Sequence, residues 1–232
     1  MKRLISILVL TTLTVGICGS ISGTVNFDGK GPKKKKLKMD ADPVCGKSHQ
    51  TPVFRQDFVM DDNNNLANVI VYLKNVDYKG SVTKTQAILD QKGCVYTPHV
   101  IGAMAGQELL IKNSDATLHN IHSMAKENEQ FNFAMPKVVK EKETSFGKVE
   151  EPFYIKCDVH PWMKSYTQVF DHPYYAVTDK TGKFSIANVP DGTYEIVAWQ
   201  EKFGSKRTLS QSVTVKSGEA VVNFEFSRPK KK

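Results

Sequence analysis

The stretch Phe153-Tyr-Ile-Lys-Cys157-Asp-Val-His160-Pro-Trp-Met163 decides how the middle of this chain folds. Phe153, Ile155 and Cys157 alternate with Tyr154 and Lys156, so a β-strand would place Cys157 on its apolar face. His160 and Met163 follow Cys157 at intervals of three residues. We therefore predict a strand that ends at Cys157 and runs into a tight loop carrying a thiol, an imidazole and a thioether.

A second histidine comes from an earlier strand. Residues 107–112 have the pattern of a strand, and the turn-like run Asn113-Ser114-Asp115 follows, just before His119. One thiolate, two imidazoles and one thioether form the ligand set of a mononuclear blue-copper site. The sequence thus predicts one bound copper ion with the ligands His119, Cys157, His160 and Met163. His122 lies three residues after His119 and is a possible alternative ligand.

The run from Pro98 to Phe170 resembles the cupredoxins, the plastocyanin- and amicyanin-like copper proteins. The resemblance rests on Ala105-Gly106-Gln107-Glu108-Leu109, Asn113-Ser114-Asp115, His119-Asn120, and the strand and loop from Phe153 to Met163. It implies that His119, Cys157 and His160 are equatorial ligands, that Met163 is axial, and that Asn120 steadies the site without touching the metal. It also implies that His160 lies nearest the surface as the electron exit, with Pro161 and Trp162 forming part of a docking patch.

The rest of the chain also has strand periodicity. Residues 69–74, 194–199 and 221–226 alternate with period two, and Gly- and Asp-containing turns separate such segments. We expect an all-β protein, and we expect the polar stretch 126–148 to be a long loop with a short helix. The runs 177–184 and 189–194 resemble the carboxypeptidase regulatory-like, transthyretin-like β-sandwich, whose usual first strands resemble residues 21–25 and 68–73.

These two resemblances predict a discontinuous organisation. A cupredoxin-like Greek-key sandwich at residues 84–173 would be inserted into a small immunoglobulin- or transthyretin-like sandwich made of residues 21–83 and 174–228. A single enlarged cupredoxin is the alternative. The second sandwich brings no catalytic motif, and no haem-attachment motif, phosphate-binding loop or nucleophile elbow occurs in the sequence. We therefore expect a protein that is not an enzyme.

The first twenty residues have the composition of a signal peptide. Lys2 and Arg3 precede a hydrophobic stretch, and the small residues near Ser20 offer a cleavage site. A lipoprotein anchored at Cys18 is the less favoured alternative, because Ile17 is bulky for that pattern. No other segment could span a membrane. We expect a periplasmic or secreted protein.

The chain carries a formal net charge of +8, with lysines concentrated at 33–38 and in a basic tail at 229–232. Solvated flexible lysines are the simplest explanation. A docking patch for an acidic redox partner, or for an anionic membrane surface, is the alternative. Nucleic acid is excluded as a partner, because export would separate this protein from the nucleic acids of the cell. In addition, the lysines are not interleaved with aromatic residues.

Cys45 and Cys94 remain after the signal segment and the predicted copper ligand are set aside. An oxidising compartment favours a disulfide between them. A second metal site, formed by the same two cysteines with His49 and His99, stays open as an alternative. Taken together, the sequence predicts an exported type 1 copper protein that carries one electron between partners. A copper-delivery protein and a non-redox β-sandwich binding protein are the alternatives.

Overall fold

The computed structural model describes residues 18–228. The predicted signal segment up to Ile17 and the predicted basic tail at 229–232 lie outside the described residues. Within them, the all-β prediction is confirmed, because the described secondary structure is almost entirely β-strand. The predicted cleavage point after Ser20 falls inside the first strand, whose Cys18 pairs with Pro190.

The elements follow one another in chain order. The N-terminal part contains β1 (Cys18–Asp28), α1 (Pro43–Lys47), β2 (Val59–Met60), β3 (Leu66–Ala67) and β4 (Val69–Lys74). The central part contains β5 (Ala87–Gln91), β6 (Tyr96–Thr97), β7 (Val100–Met104), β8 (Glu108–Asn113), β9 (His119–Ser123), β10 (Asn132–Met135), β11 (Glu141–Ser145), β12 (Glu150–Lys156) and β13 (Lys164–Phe170). The C-terminal part contains β14 (Tyr175–Val177), β15 (Lys183–Pro190), β16 (Gly192–Gln200), a 3-10 turn (Ser205–Arg207), β17 (Leu209–Val215), β18 (Glu219–Val221) and β19 (Phe224–Ser227).

The central strands form two sheets. One has the order β10-β9-β12-β13-β7 and the other the order β11-β8-β5-β6. Two neighbouring pairs, β13 with β7 and β5 with β8, run parallel, while the other pairs are antiparallel. Alternate residues of both sheets point inward, and Leu89, Ile111, Ile121 and Ile155 are fully buried in a shared core. Cys157 belongs to the same core.

The strands from the two ends of the chain form the remaining large sheets. β1 lies between β15 and the parallel strands β18 and β19, whereas β4 lies between β14 and β16, with β17 beyond β16. Gly23 allows the close approach inside the first of these sheets, since a Cβ atom there would collide with the Val222 carbonyl oxygen. This core is separate from the central one. The predicted domain boundaries at 83/84 and 173/174 stay a prediction.

A third apolar cluster joins the two sets of sheets. It contains Ile70, Tyr72, Val100, Phe170, Val197 and Trp199. The Tyr72 and Phe170 rings lie 5.2 Å apart, and a buried contact of 2.6 Å joins His99 Nε2 to a carboxylate oxygen of Glu201 beside them. Apolar burial of this kind stabilises the junction, so the central sheets are packed against the outer ones rather than tethered to them.

The stretch 126–148 differs from its prediction. Instead of a loop with a short helix, it contains β10, which pairs with β9, and β11, which pairs with β8. Both are short edge strands held by backbone hydrogen bonds. β11 is polar throughout, and β10 is only four residues long, so neither gives a clear alternating pattern. In residues 18–228, no helix has the length and apolar character needed to cross a membrane.

Candidate metal centre

The ends of two neighbouring strands bring the predicted ligands together. His119 is the first residue of β9, and Cys157 directly follows β12, which pairs antiparallel with β9. The loop from Cys157 to Met163, called the ligand loop because it carries three of the predicted ligands, is closed by its own hydrogen bonds. The His160 N–H donates to the Cys157 sulfur at 3.3 Å, and the Met163 N–H donates to the His160 carbonyl at 2.9 Å. The predicted strand that runs into a tight loop is therefore present, and β13 follows the loop.

Three of the predicted ligands converge in the interior. The Nδ1 atoms of His119 and His160 lie 2.9 Å apart, and the Cys157 sulfur lies 3.9 Å from His160 Nδ1. All three side chains are buried, and their donor atoms lie within 4.8 Å of one another. One sulfur and two imidazole nitrogens at this separation are the donor set of a trigonal His₂Cys copper site. The residues present therefore fit copper.

The far nitrogen of His119 is held by a carboxylate. His119 Nε2 lies 2.8 Å from Asp115 Oδ2, which also accepts the Cys94 N–H at 2.8 Å. The other oxygen of Asp115 accepts the Gly93 N–H at 2.7 Å. Burial opposes charge on His119, but the hydrogen bonds to Asp115 and Cys157 outweigh it and raise the pKa of the imidazole. Asp115 therefore fixes the ring with Nδ1 facing the thiol.

The far nitrogen of His160 is held in the same way. His160 Nε2 lies 3.0 Å from Asp42 Oδ2, which also accepts the Thr117 hydroxyl at 3.0 Å. The other oxygen of Asp42 accepts the N–H groups of Val44 and Cys45, so the same carboxylate caps α1. Burial opposes its charge, yet these hydrogen bonds lower the pKa of Asp42 to about 2. Burial lowers the pKa of His160, which keeps the imidazole neutral, the form that binds metals.

A disulfide links the two carboxylate-bearing segments. Cys45 and Cys94 are joined, as the sequence predicted, and their backbone N–H groups donate to Asp42 and Asp115 respectively. The alternative second metal site is not formed. The two sulfurs are bonded to each other, His49 Nε2 lies 2.6 Å from the Gly93 carbonyl oxygen, and His99 pairs with Glu201.

The environment of Cys157 favours its thiolate. Burial opposes the charged form, but a hydrogen bond from His119 and the backbone N–H groups of Asn120, His160 and Val159 lower the pKa of the thiol. Because the thiolate is the form that binds metals, this environment prepares the sulfur for coordination. Met163 is buried in the same core, at the end of the loop.

Asn120, predicted to steady the site, is hydrogen-bonded to the start of the loop that follows β12. Its side-chain oxygen accepts the Asp158 N–H at 2.6 Å, and its amide group donates to Asn132. The bond to Asp158 ties the start of the ligand loop to β9. His122 lies elsewhere: it is half-buried, and its Nδ1 is 2.8 Å from Asp158. The geometry therefore groups His119, rather than His122, with Cys157 and His160.

The predicted exposure of His160 is wrong. His160 is only 2% exposed, because Asp42 and Cys45 lie over its Nε2 edge, with the Cys45 sulfur at 3.7 Å. Trp162 is partly buried beside it, with the two rings 4.9 Å apart, and donates its indole N–H to the Cys94 carbonyl. His160 is buried because the segment around α1 packs over it. That segment is not part of the sequence motif from which the exposure of His160 was predicted.

Asp42 and Asp115 were not predicted as parts of the site. The sequence held a signal for one of them, since an aspartate followed by proline, as in Asp42-Pro43, is typical of a helix N-cap. Nothing in the sequence placed that cap beside His160. Asp115 was noted only as part of a turn.

Comparison with known proteins gives partial similarities. A purple cupredoxin from Nitrosopumilus maritimus is 21% identical, with 36% of this chain and 99% of that chain covered and a TM-score of 0.31. A variant of amicyanin in its Cu(I) form is 18% identical, with 39% and 87% covered and a TM-score of 0.33. The Cu-containing nitrite reductase from Thermus scotoductus SA-01 is 17% identical, with a TM-score of 0.35; 43% of this chain is covered, but only 25% of the reductase.

One family model matches part of the chain. Residues 158–222 match the model of polysaccharide lyase family 4, domain II. This match starts inside the ligand loop and ends near β18, so it crosses the predicted boundary at 173/174. The matching model is not that of a carboxypeptidase regulatory-like domain, and that resemblance stays a prediction. No curated protein matches the chain.

Proposed function

We propose that this protein is an exported one-electron carrier with a single type 1 copper ion, which His119, Cys157 and His160 would hold together with the thioether of Met163. The convergence of two imidazole Nδ1 atoms and one thiol sulfur, all buried, is the observation that carries the proposal. Copper held by such a set accepts and releases one electron between Cu(II) and Cu(I). In this proposal the protein stores an electron and does not act as an enzyme.

The surrounding residues support this role by restricting movement. Asp115 and Asp42 hold the two imidazole rings from behind, and Asn120 anchors the start of the ligand loop. Supporting hydrogen bonds of this kind fix ring orientation and tautomer. A donor set that does not rearrange suits both oxidation states of the metal, which is what a carrier requires.

The enclosure of the site favours a carrier over a copper-delivery protein. Delivery requires an acceptor to reach the ligands, whereas His119, Cys157 and His160 are each at most 2% exposed. The disulfide-linked segment at Asp42 and Cys45 covers the Nε2 edge of His160. Retention of the metal through both oxidation states is therefore expected.

A redox cycle tests the proposal. The copper-loaded protein is reduced with ascorbate, passed through a desalting column with a Cu(I) chelator, and reoxidised. We expect the full visible absorption to return and the copper content to stay at one per chain. Loss of copper to the chelator on reduction would support delivery and defeat the carrier proposal.

Export is part of the same proposal. The Cys45–Cys94 disulfide suits an oxidising compartment such as the periplasm or the exterior. The signal segment at residues 1–20, with cleavage near Ser20, is proposed on sequence grounds alone. N-terminal sequencing of protein recovered from the periplasm tests it, and lipid attached to Cys18 would favour the lipoprotein alternative.

A further inference from the structure

The Nε2 edge of His160 is covered by Asp42 and Cys45, but a groove beside the ligand loop gives a partner protein another way to approach the site. The groove encloses about 680 Å³, and Pro161, Trp162 and Met163 are among its lining residues. The segments 36–38 and 54–57 also line it, and so does the pair His99 and Glu201, which lies where the central and outer sheets meet. Grooves at such junctions are common binding sites.

The groove is basic. Five cationic side chains line it, against the two carboxylates of Asp57 and Glu201. The cationic residues are Lys36, Lys38, Arg55, Lys156 and Lys164. Both carboxylates are already paired, Asp57 with Arg55 and Lys202 at 3.4 and 3.1 Å, and Glu201 with His99 at 2.6 Å.

Three of these cations have no carboxylate partner in the described part of the chain. Lys36 and Lys38 are exposed and form no ion pair among residues 18–228. Lys164 lies over the rings of Tyr154 and Tyr166, also without a carboxylate. The local positive potential is therefore not cancelled within the protein, and it can attract an anionic partner.

Apolar surface accompanies the charge. Phe54 and Trp162 both line the groove; Phe54 is 39% exposed and Trp162 is partly exposed. Aromatic surface beside cationic groups suits a protein segment, whose side chains can supply both carboxylates and apolar contacts. A flat bilayer would meet only the rim of such a concave surface.

We propose that this groove docks an acidic loop or terminal segment of the redox partner protein. The inference rests on the proposed carrier function and names the surface that the partner uses. It places the partner against Trp162, whose ring is 4.9 Å from that of His160, rather than against His160 itself, which Asp42 and Cys45 cover.

Binding of a probe peptide to the copper-free full chain tests the docking surface without any redox step. The probe is a dye-labelled octaglutamate peptide, with an octaglutamine peptide as the neutral control, measured by fluorescence anisotropy at low salt. We expect the acidic peptide alone to bind, and the Lys36→Glu/Lys38→Glu variant to lose about tenfold or more in affinity.

The matched control is Lys33→Glu/Lys34→Glu, the same charge change in the same segment but outside this groove. We expect it to retain most of the affinity. In ¹⁵N NMR spectra, the indole N–H signal of Trp162 should shift on peptide addition, while that of Trp199, which is 2% exposed, should not. Equal losses in both double variants, or an unmoved Trp162 signal, would overturn the proposal.

Vesicles of phosphatidylglycerol and phosphatidylcholine distinguish a membrane from a protein partner. The proposal would also be overturned if the protein sedimented with these vesicles, lost that binding in the Lys36→Glu/Lys38→Glu variant, and bound no peptide. Because the peptide assay uses copper-free protein, a failure of the copper assignment would appear only in the spectrum of the loaded protein. The two failures are therefore distinguishable.

Discussion

Asp42 Oδ2 lies 3.0 Å from His160 Nε2, although the two residues are 118 positions apart in the chain. The same carboxylate caps α1, whose Cys45 forms the disulfide with Cys94. The N–H of Cys94 in turn donates to Asp115, which holds His119. The disulfide thus fixes the two carboxylates that orient the two imidazole rings, so it supports the site as well as the fold.

Substitution of Asp42 tests this arrangement. Asp42→Asn keeps a helix-capping side chain but removes the charge behind His160. We expect copper affinity to fall by about 10- to 100-fold, as is typical when a partner of a ligating histidine is lost. Competition with a copper chelator of known affinity measures the change. Asp40→Asn, an exposed substitution in the same segment, is the control and should have no effect; equal affinities for the two variants would contradict the role of Asp42.

The two neighbouring histidines of β9 should differ in their effect on the copper spectrum. His119→Gly removes a fully buried ring that faces Cys157, so we expect the visible absorption to be lost and then restored by added imidazole. His122→Ala should leave the absorption nearly unchanged, because that ring faces Asp158 instead. The reverse pattern in the titrated spectra would mean that His122 is the ligand.

Loss of the disulfide should lower stability. Cys45 and Cys94 are separated by 49 positions, so the Cys45→Ala/Cys94→Ala variant should lose at most about 4 kcal/mol of unfolding free energy through loop-closure entropy. Urea denaturation measures the loss. Mass spectrometry after alkylation checks the bond itself: both cysteines should be alkylated only after reduction. Alkylation of both in the unreduced protein would show that they are free thiols.

The all-β architecture and the strand and loop that carry Cys157, His160 and Met163 could be predicted because their signals are local. Alternation from Phe153 to Cys157 specifies a strand face, and the spacing of Cys157, His160 and Met163 specifies a loop. The choice of His119 over His122 also followed from the adjacent motif. Each of these conclusions depended on residues close together in sequence.

The covering of His160 could not be predicted because its cause is not local. The Asp42 segment reaches the site from a part of the chain that has almost no regular structure, and no periodic pattern marks where it packs. The short strands β10 and β11 were missed for a related reason, since their pairing depends on backbone hydrogen bonds to β9 and β8. Long-range packing decided both features.

Glu150 should stabilise the fold in a pH-dependent manner. This buried carboxylate accepts the N–H groups of Lys126 and Asn128, and although burial opposes its charge, these bonds lower its pKa in the folded protein. A lowered folded pKa means that the stabilisation is present above the unfolded value and is lost as pH falls through the folded value. We therefore expect Glu150→Gln to cost about 1–3 kcal/mol at pH 7 and much less near pH 3.

Denaturant unfolding at both pH values measures this effect. Glu129→Gln replaces an exposed carboxylate in the neighbouring loop and should change stability little at either pH. A cost for Glu150→Gln that is the same at both pH values would contradict the assigned role of the charge.

The visible absorption and EPR spectra of the copper-loaded protein, recorded beside those of Cys157→Ser, test the central claim most directly. We expect an intense thiolate-to-copper charge-transfer band and a narrow copper hyperfine splitting in the parent protein, and neither in the variant. Met163→Leu should keep the band, because an axial thioether tunes the site rather than anchoring the metal. A colourless copper-loaded parent, or a Cys157→Ser variant that keeps the band, would contradict the account.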